Sequence, residues 1–327
     1  MEARTPAPTL DIAALHRSLQ PLALDQRPWH PEPLQAYYRY YGIDFSQRYP
    51  QFEHHCGFID AGRHHIVGHV WRAPDATATC FLVHGYFDHV GLYGRAIDYC
   101  LARGFNVVAW DLPGHGLSSG PRYSIDSFAE YGDVLDAMLT HCAALVRPWY
   151  GIGQSTGAAI LMDHMLRSPA PQFSRQMLIA PLVRPVAWWW IRAALLVGGP
   201  FLKQVPRRFA LNSHDAGFLD FLHDRDPLQW RAIPVAWVRA LKIWLRSFVR
   251  LTPTPDMQPL VVQGPDDTTV DWRYNLGVIR QKFPRARVLL LQRGRHQLVN
   301  ESAVLQEPLW RAADLYLDGG REQREQP

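Results

Sequence analysis

The pentapeptide Gly153-Gln154-Ser155-Thr156-Gly157 is the sequence feature that most restricts how this chain can fold. It stands between a short apolar run, WYGI, and a segment with helical character, AAILMDHML. A G-x-S-x-G turn between a strand and a helix holds its serine in a strained conformation with the hydroxyl exposed. Small residues two positions to either side let the strand and the helix approach each other. The sequence therefore predicts a nucleophilic serine, Ser155, whose following helix directs its first N–H groups toward developing negative charge.

Short apolar runs alternate with amphipathic segments along most of the chain. Strands are predicted at residues 65–72, 79–83, 106–110, 149–153, 176–180, 260–263 and 287–291. Helices are predicted at residues 93–103, 124–145, 156–166, 272–282 and 303–317. Such alternation favours an α/β fold with a mainly parallel sheet that helices cover on both faces.

One segment interrupts this alternation over more residues than an ordinary connection needs. We interpret residues 183–255 as a mostly helical cap inserted over the open end of the sheet, and residues 51–182 and 256–318 as one core. Single α/β domains commonly reach about 250 residues, so this division fits better than two independent domains. Residues 1–50, rich in proline and aromatic residues, are expected to pack on the core, and residues 319–327 are expected to be disordered.

Composition excludes several kinds of protein. The net charge is only +4 and is dispersed, which argues against a nucleic-acid partner. The N-terminus has no apolar signal region, and the most apolar stretch, 186–202, falls short of the ~20 apolar residues of a membrane span. We therefore expect a cytoplasmic protein. The widely spaced cysteines are expected to be free structural thiols: Cys56, Cys80, Cys100 and Cys142.

A second loop is expected to complete the site. Residues 81–89, FLVHGYFDH, begin as a strand and break at a His-Gly pair. In enzymes with a G-x-S-x-G nucleophile turn, the loop after such a strand supplies one N–H of the oxyanion hole, and the residue after the nucleophile supplies another. The predicted donors are the backbone N–H groups of Tyr86 and Thr156. His84 and His89 are expected to hold the loop by hydrogen bonds to its backbone.

The acid and the base should follow the nucleophile along the chain, in that order. The apolar strand 260–263 runs into a turn that contains Asp266 and Asp267, and the last strand is followed by the sequence GRH, which ends at His296. His296 would take the proton from Ser155 and return it to the leaving group, while a carboxylate holds the imidazole. Both aspartates are candidates for that carboxylate.

The motifs HGYFDH, DLPGHGLSSG, GQSTG, QGPDDTTVD and GRH, in this order, resemble those of the monoacylglycerol lipase and lysophospholipase group of α/β hydrolases. In that family the acid lies three residues after the glycine that ends its strand, which corresponds to Asp267 here. The family's oxyanion donors correspond to Tyr86 and Thr156. This chain has Gln154 where many members have histidine. The resemblance implies a serine esterase that cleaves fatty acyl glycerols or lysophospholipids through an acyl-enzyme, and no cofactor is expected.

The cap segment is unusually apolar for a segment outside the main sheet. We expect it to form an apolar pocket for a small-molecule acyl ester, and its outer face is a candidate for peripheral membrane contact. The residues that we assign to the pocket are Trp188, Trp189, Phe218 and Trp237. The basic residues that would meet lipid phosphates on the outer face are Arg192, Lys203, Arg207 and Arg208. The alternative is that the cap helices only pack on one another and on the rim of the sheet.

Other sites and functions are weighed against this hypothesis. The pairs His54-His55 and His64-His65, together with His69, lack metal-ligand spacing, so no metal site is expected. The same triad would also serve thioester or peptide hydrolysis. A non-catalytic binding protein with this fold is a further alternative, which a failure of serine-directed probes to label the protein would favour.

Overall fold

The computed structural model describes residues 10–168, 170–199 and 201–319. Of the tail predicted to be disordered, 319–327, all residues but Gly319 lie outside the described ones. None of the helices within these ranges combines the length and the apolarity that a bilayer crossing requires.

The core of the protein is one eight-stranded sheet. The strands are β1 (Glu53–Ala61), β2 (His64–Arg72), β3 (Ala78–Val83), β4 (Phe105–Trp110), β5 (Trp149–Gln154), β6 (Arg175–Ile179), β7 (Gln204–Pro206), β8 (Ala232–Pro234), β9 (Leu260–Gln263) and β10 (Arg287–Leu290). Strands β7 and β8 form a separate two-stranded ribbon, and the others form the sheet. The order across the sheet is β1-β2-β4-β3-β5-β6-β9-β10. Within this sheet only the pairs β1–β2 and β2–β4 are antiparallel, and the other pairs are parallel. The prediction of a mainly parallel α/β sheet is confirmed.

No bounds are predicted for strand β1 from the sequence, because its buried positions include polar and small residues. Its sequence, EHHCGFIDA, does not alternate cleanly between apolar and polar residues. His55 nevertheless is buried because its imidazole hydrogen-bonds the carbonyl oxygen of Ala23 at 2.9 Å. A buried polar group that finds a partner does not oppose strand formation, and periodicity alone does not detect it.

Helices cover both faces of the sheet. They are α1 (Ile12–Ser18), α2 (Glu32–Tyr41), α3 (Gly94–Ala102), α4 (Ala129–His141), α5 (Thr156–Arg167), α6 (Trp188–Val197), α7 (Ala216–Asp220), α8 (Val235–Phe248), α9 (Trp272–Lys282) and α10 (Ala303–Asp318). One apolar layer contains α2, α3 and α10, and the other contains α4, α5, α8 and α9. Strands β3, β4 and β5 lie between the layers and are buried along their whole length. The four cysteines are free and buried, as predicted.

Helix α4 is shorter than the predicted segment 124–145. The Glu130 carboxylate accepts the backbone N–H groups of Asp126 and Ser127 at 2.8 and 3.0 Å. This hydrogen bonding stabilises a turn before the helix, and the residues after His141 form further turns. Side-chain to backbone bonds of this kind compete with the helix at its ends.

The described part of the N-terminal segment, residues 10–50, packs on the sheet edge and on one helical layer. Leu22 N–H donates to Phe58 at 2.8 Å, and Phe58 N–H donates to Gln20 at 2.9 Å, so this segment covers β1. Leu34 and Tyr37 of α2 are fully buried in the core. The segment therefore protects an edge strand that would otherwise offer unpaired backbone groups.

The cap segment, 183–255, contains more than helices. Within its described residues α6, α7 and α8 are accompanied by the ribbon β7–β8 and by extended chain, so its expected mostly helical character is only partly found. The indole N–H of Trp237 donates to the Tyr131 hydroxyl at 3.0 Å, and that of Trp244 donates to the Asp163 carboxylate at 2.8 Å. These bonds join α8 to α4 and α5.

The packing of the N-terminal segment is testable by Leu34→Ala. Removing a fully buried leucine leaves a cavity, so we expect the free energy of unfolding to fall by about 2–5 kcal/mol, measured by urea denaturation. The matched control is the neighbouring exposed residue, Gln35→Ala, which should stay within about 0.5 kcal/mol of the native protein. Equal stability of both variants would show that this segment does not belong to the cooperative core.

Candidate active site

Ser155 lies at the turn between β5 and α5 with φ 53° and ψ −112°. Its N–H donates to Ile179 at 2.8 Å, which fixes this conformation against β6. The two glycines make the turn possible. A Cβ at Gly157 would lie 2.0 Å from the Val83 carbonyl oxygen, and one at Gly153 would lie 2.6 Å from the Gly157 backbone. The predicted strained turn and close approach of strand and helix are both found.

The structure brings Ser155, Asp267 and His296 together from three separate loops. His296 Nε2 lies 3.1 Å from Ser155 Oγ, and His296 Nδ1 lies 2.8 Å from Asp267 Oδ2. All three side chains are nearly buried. A serine hydroxyl bonded to an imidazole that a carboxylate orients is the arrangement of an activated nucleophile. Asp266, the competing acid, is exposed.

Hydrogen bonds hold Asp267 in its ionised form. Its Oδ1 accepts the backbone N–H groups of Thr269 at 2.8 Å and Val270 at 3.1 Å, and its Oδ2 also accepts from Gln263 at 3.1 Å. Burial by itself would raise the pKa of Asp267, but His296 and these backbone donors outweigh it, so the pKa is lowered. The carboxylate is therefore available as an acceptor at neutral pH.

The pKa of His296 is shifted in the opposite direction. Burial favours the neutral imidazole, but the charge and hydrogen bond of Asp267, with a smaller contribution from Asp88, raise the pKa above 6.5. A raised pKa makes the imidazole a stronger base, and it also means that protonation blocks the base at a higher pH than for free histidine.

The backbone N–H groups of Tyr86 and Thr156 lie beside Ser155. Within the described residues neither N–H donates to a protein acceptor. The Tyr86 loop contacts the nucleophile closely, since a Cβ at Gly85 would lie 3.3 Å from Ser155 Cβ. Stacking of the Tyr86 ring on Trp237, with centroids 3.8 Å apart, positions this loop further. The two donors are therefore available to an oxyanion.

A chain of buried amides and carboxylates supports these loops from behind. Gln154 Nε2 donates to Gln297 at 2.5 Å, and Gln297 Nε2 donates to Asp88 at 2.8 Å. The Tyr93 hydroxyl donates to Asp88 at 3.2 Å and accepts the Gly85 N–H at 3.0 Å. The chain thus joins the nucleophile turn, the histidine loop and the oxyanion loop. Sequence reasoning missed it, although Gln154 was noticed as a departure from the family's usual histidine.

His84 holds the loop as predicted. Its Nδ1 bonds the Gly85 carbonyl oxygen at 2.7 Å, and its Nε2 accepts the Leu112 N–H at 2.9 Å. Both ring nitrogens are therefore used by the backbone. The ring is buried and does not contact the nucleophile through either nitrogen.

His89 has a different partner from the one predicted. Its Nε2 lies 3.0 Å from the carboxylate of Asp226, a cap residue, and both side chains are fully buried. The Tyr41 hydroxyl donates to the same carboxylate at 2.7 Å. His89 therefore joins the oxyanion loop to the cap and the N-terminal segment, which no local pattern indicates.

A mainly apolar cavity of about 380 Å³ opens at Ser155 and His296. Residues of α6 and α8, both in the segment 183–255, form much of its wall. The apolar residues of those two helices that line it are Ile191, Ala194, Leu195, Val235, Trp237, Val238 and Leu241. Such a cavity suits an apolar substrate chain.

Only one of the four predicted pocket residues lines this cavity. Trp237 does, but Trp188 is buried in the core layer beside it, and the side chain of Trp189 is 70% exposed. Phe218 lines a separate groove between the cap and α2. The prediction was wrong for these three residues. For Trp188 and Trp189 the reason is that both faces of α6 are apolar, so periodicity does not show which face turns inward. Phe218 lies on the short helix α7, which packs away from this cavity.

The predicted positions of two basic residues are also wrong. Arg207 and Arg208 were placed on the outer face of the cap, but both line the cavity. Arg207 is half-buried, whereas Arg208 is exposed. Within the described residues, no group of three potential ligands is placed to hold a metal ion.

A nucleophilic serine on the turn that follows a central parallel strand, with a histidine and an aspartate behind it, defines a serine hydrolase with the α/β-hydrolase fold. The family model described as serine aminopeptidase, S33, matches residues 74–303, more than two thirds of the chain. The protein belongs to this family, Hydrolase_4.

Two curated relatives are named after lipid hydrolysis. Phospholipase YtpA of Bacillus subtilis is 28% identical over 210 residues, which are 62% of this chain and 80% of that protein. A monoacylglycerol lipase of Mycolicibacterium smegmatis is 30% identical over 129 residues, 38% of this chain and 46% of that protein.

Solved structures share the fold. A soluble variant of monoglyceride lipase from Saccharomyces cerevisiae, in complex with a substrate analogue, superposes with a TM-score of 0.68 at 17% identity, covering 80% of this chain and 94% of that one. The monoacylglycerol lipase of Paleococcus ferrophilus gives a TM-score of 0.64 at 19% identity, covering 75% of this chain and 96% of that one.

Asp267→Asn tests the assignment of the acid. Losing the carboxylate disturbs the tautomer and orientation of His296, so we expect kcat on p-nitrophenyl esters to fall about 10³- to 10⁴-fold. Because Asp267 raises the pKa of His296, the acid limb of kcat/KM in the native enzyme should lie above pH 6.5 and move to lower pH in the variant. The control is Asp266→Asn, an exposed neighbour, which should change neither quantity. A loss in Asp266→Asn instead would reverse the assignment.

Proposed function

We propose that this protein hydrolyses carboxylic esters of fatty acyl chains through an acyl-enzyme intermediate, in the manner of a monoacylglycerol lipase or lysophospholipase. The observation that carries the proposal is the position of the Ser155–His296–Asp267 chain at the mouth of a mainly apolar cavity. The names of the relatives YtpA and monoacylglycerol lipase support the same substrate class.

The geometry suggests the following steps. Ser155 Oγ attacks the ester carbonyl carbon while His296 Nε2 takes the proton of the serine hydroxyl. The resulting oxyanion accepts hydrogen bonds from the N–H groups of Tyr86 and Thr156. The tetrahedral species collapses, the ester C–O bond breaks, and His296 gives its proton to the leaving alcohol. Water then attacks the acyl-enzyme with His296 again as base, which releases the fatty acid and restores the serine. Asp267 stabilises the imidazolium in both halves.

Peptide hydrolysis is the main alternative, since the family description names an aminopeptidase. An aminopeptidase must recognise the positive amino terminus of its substrate. The described lining of the cavity contains no carboxylate but includes Arg207 and Arg208. This charge disfavours a cationic substrate and favours an ester of an apolar acid.

The esterase proposal is testable with p-nitrophenyl esters from C2 to C16 and with 1-oleoylglycerol. We expect native protein to prefer chains long enough to fill the apolar cavity, and Ser155→Ala to lower kcat by about 10⁵- to 10⁶-fold. The control is Ser118→Ala, a buried serine bonded to the Asp111 carbonyl oxygen, away from the nucleophile. The proposal would be contradicted if native protein and Ser155→Ala were equally active, or if native protein hydrolysed no ester of any chain length.

We further propose peripheral membrane contact through α6 and the chain that follows it, in a cytoplasmic protein. The cavity side of α6 is apolar, and so is its outer side, where Trp190 is 78% exposed. Phe201, just beyond the helix, is 85% exposed. Contiguous exposed aromatic residues next to an acyl cavity are typical of interfacial contact, which would allow a lipid to enter without crossing water.

Sedimentation with phosphatidylglycerol and phosphatidylcholine vesicles tests this contact. The double substitution Trp189→Ser and Trp190→Ser should lower the partition coefficient about tenfold or more, because two exposed rings no longer insert. The control is Val304→Ser, whose side chain is 82% exposed on α10. Failure of native protein to sediment with vesicles would contradict the contact and leave the esterase proposal unaffected.

A further inference from the structure

Arg207 has an unusual position for a cation. It lies just after β7, where its N–H donates to the Arg231 carbonyl oxygen at 2.9 Å, and its side chain lines the catalytic cavity. Its guanidinium carbon lies 3.8 Å from the centroid of the Phe87 ring and 4.4 Å from that of Phe209. Phe87 directly follows the proposed oxyanion donor Tyr86. Stacking of this kind fixes the plane of the guanidinium beside the loop that carries Tyr86.

The hydrogen bonds of Arg207 leave part of the guanidinium unused. Nη1 donates to the Gln229 side-chain oxygen at 2.7 Å and to the Trp230 carbonyl oxygen at 3.3 Å, both of which are neutral acceptors. Across the described ranges, no carboxylate lies within 4.0 Å of Arg207, and neither Nε nor Nη2 has a bonded acceptor. Arg184, by contrast, bonds Asp271 through both of these nitrogens.

The carboxylates nearest to Arg207 are engaged elsewhere. Asp226 bonds His89 and Tyr41, and Asp88 bonds Gln297 and the Tyr93 hydroxyl. Burial lowers the pKa of Arg207, and the more distant negative groups only partly oppose this. The guanidinium therefore lacks a counter-ion in contact.

A second polar group at the same cavity is also unsatisfied. Asn212 lines the cavity, and its buried side-chain oxygen accepts no hydrogen bond from the described residues. Its backbone carbonyl oxygen accepts the Gln297 N–H at 2.8 Å, which attaches it to the histidine loop. Buried polar atoms are rarely left unpaired, so a ligand group that donates a hydrogen bond is the natural partner.

We propose that Arg207 binds the phosphate of a lysophospholipid headgroup, with Asn212 accepting a hydrogen bond from the glycerol hydroxyl. Nε and Nη2 present the fork of donors that matches two phosphate oxygens, and the bonds to a charged partner are stronger than those to a neutral one. The apolar walls of α6 and α8 take the acyl chain. The enzyme then prefers an anionic lysophospholipid to a monoacylglycerol with the same chain. This inference rests on the proposed esterase function.

The test compares kcat/KM for 1-oleoyl-lysophosphatidylglycerol and for 1-oleoylglycerol in the same detergent micelles. Arg207→Met should lower the ratio of the two values roughly tenfold to a hundredfold, because the charged hydrogen bonds act only on the anionic substrate. Arg207→Lys, which keeps the charge but not the fork, should lower the ratio less. A ratio unchanged in Arg207→Met, with both rates reduced equally, would show a merely structural role and overturn the inference.

Arg231→Met is the matched control. Arg231 is exposed, packs on the same Phe209 ring from 5.3 Å and lies next to Arg207 across the ribbon, but it does not line the cavity. The substitution Arg231→Met removes one positive charge, as Arg207→Met does. The ratio of the two kcat/KM values should nevertheless stay at the native value. An equal fall in this variant would assign the effect to overall charge and overturn the inference.

Two further outcomes distinguish a failure of this inference from a failure of the proposed esterase function. Hydrolysis of 1-oleoylglycerol without hydrolysis of the lysophospholipid would overturn the inference alone, whereas hydrolysis of neither would overturn the proposed function as well. Inorganic phosphate at millimolar concentration should not inhibit 1-oleoylglycerol hydrolysis. If phosphate inhibits the native enzyme but not Arg207→Met, and the ratio of the two kcat/KM values is the same in both, the site binds a free anion instead of a lipid headgroup. That result would overturn the inference.

Discussion

The turn from β5 into α5 is the constraint on which the rest of the site depends. Ser155 has a positive φ, and two glycines let α5 approach β3 to a distance that leaves no room for a Cβ at Gly157. The cost of the strained serine is of the order of 1–3 kcal/mol, which the backbone bonds of the surrounding strands offset. The same approach brings the Thr156 N–H and the Tyr86 loop close to Ser155. The proposed site of an oxyanion therefore depends on how closely two backbone segments pack.

Buried polar groups extend this constraint to the other loops. The bonds from Gln154 through Gln297 to Asp88 make the nucleophile turn, the histidine loop and the oxyanion loop one unit. A satisfied network of this kind stabilises one arrangement, because breaking any member leaves another buried polar group without a partner. The His89–Asp226 bond continues the unit into the cap. The cap is therefore connected to the catalytic loops by polar contacts as well as by apolar packing.

The cap contributes both apolar and polar residues to the wall of the cavity. Its helices α6 and α8 supply apolar wall, whereas Arg207 and Asn212, in the chain between them, supply polar groups at the same cavity. An acyl ester with a polar headgroup has the same two-part character. The outer face of α6 repeats the apolar character toward solvent, so one helix separates the cavity from the surface at which a lipid would arrive.

Features that depend on neighbours in the sequence were determined by the sequence alone. The alternation of apolar strands and amphipathic helices led to the parallel sheet, and the G-x-S-x-G turn led to Ser155, because each pattern is written within a few consecutive residues. His296, the proposed base, followed from its position after the last strand. Position alone left Asp266 and Asp267 open as the acid, and the family resemblance indicated Asp267. The structure brings both Asp267 and His296 to Ser155.

Only the tertiary structure decided which cap residues face the cavity. Trp237 faces inward and Trp189 outward, although both are tryptophans on helices of the cap. The same is true of Arg207, which was predicted on the outer face of the cap but lines the cavity. The bounds of strand β1 and the Gln154–Gln297–Asp88 chain likewise escaped prediction, since their polar residues are stabilised by partners distant along the chain. The physical reason is common to all of these: exposure and hydrogen bonding depend on what packs against a residue, and that is known only once distant segments meet.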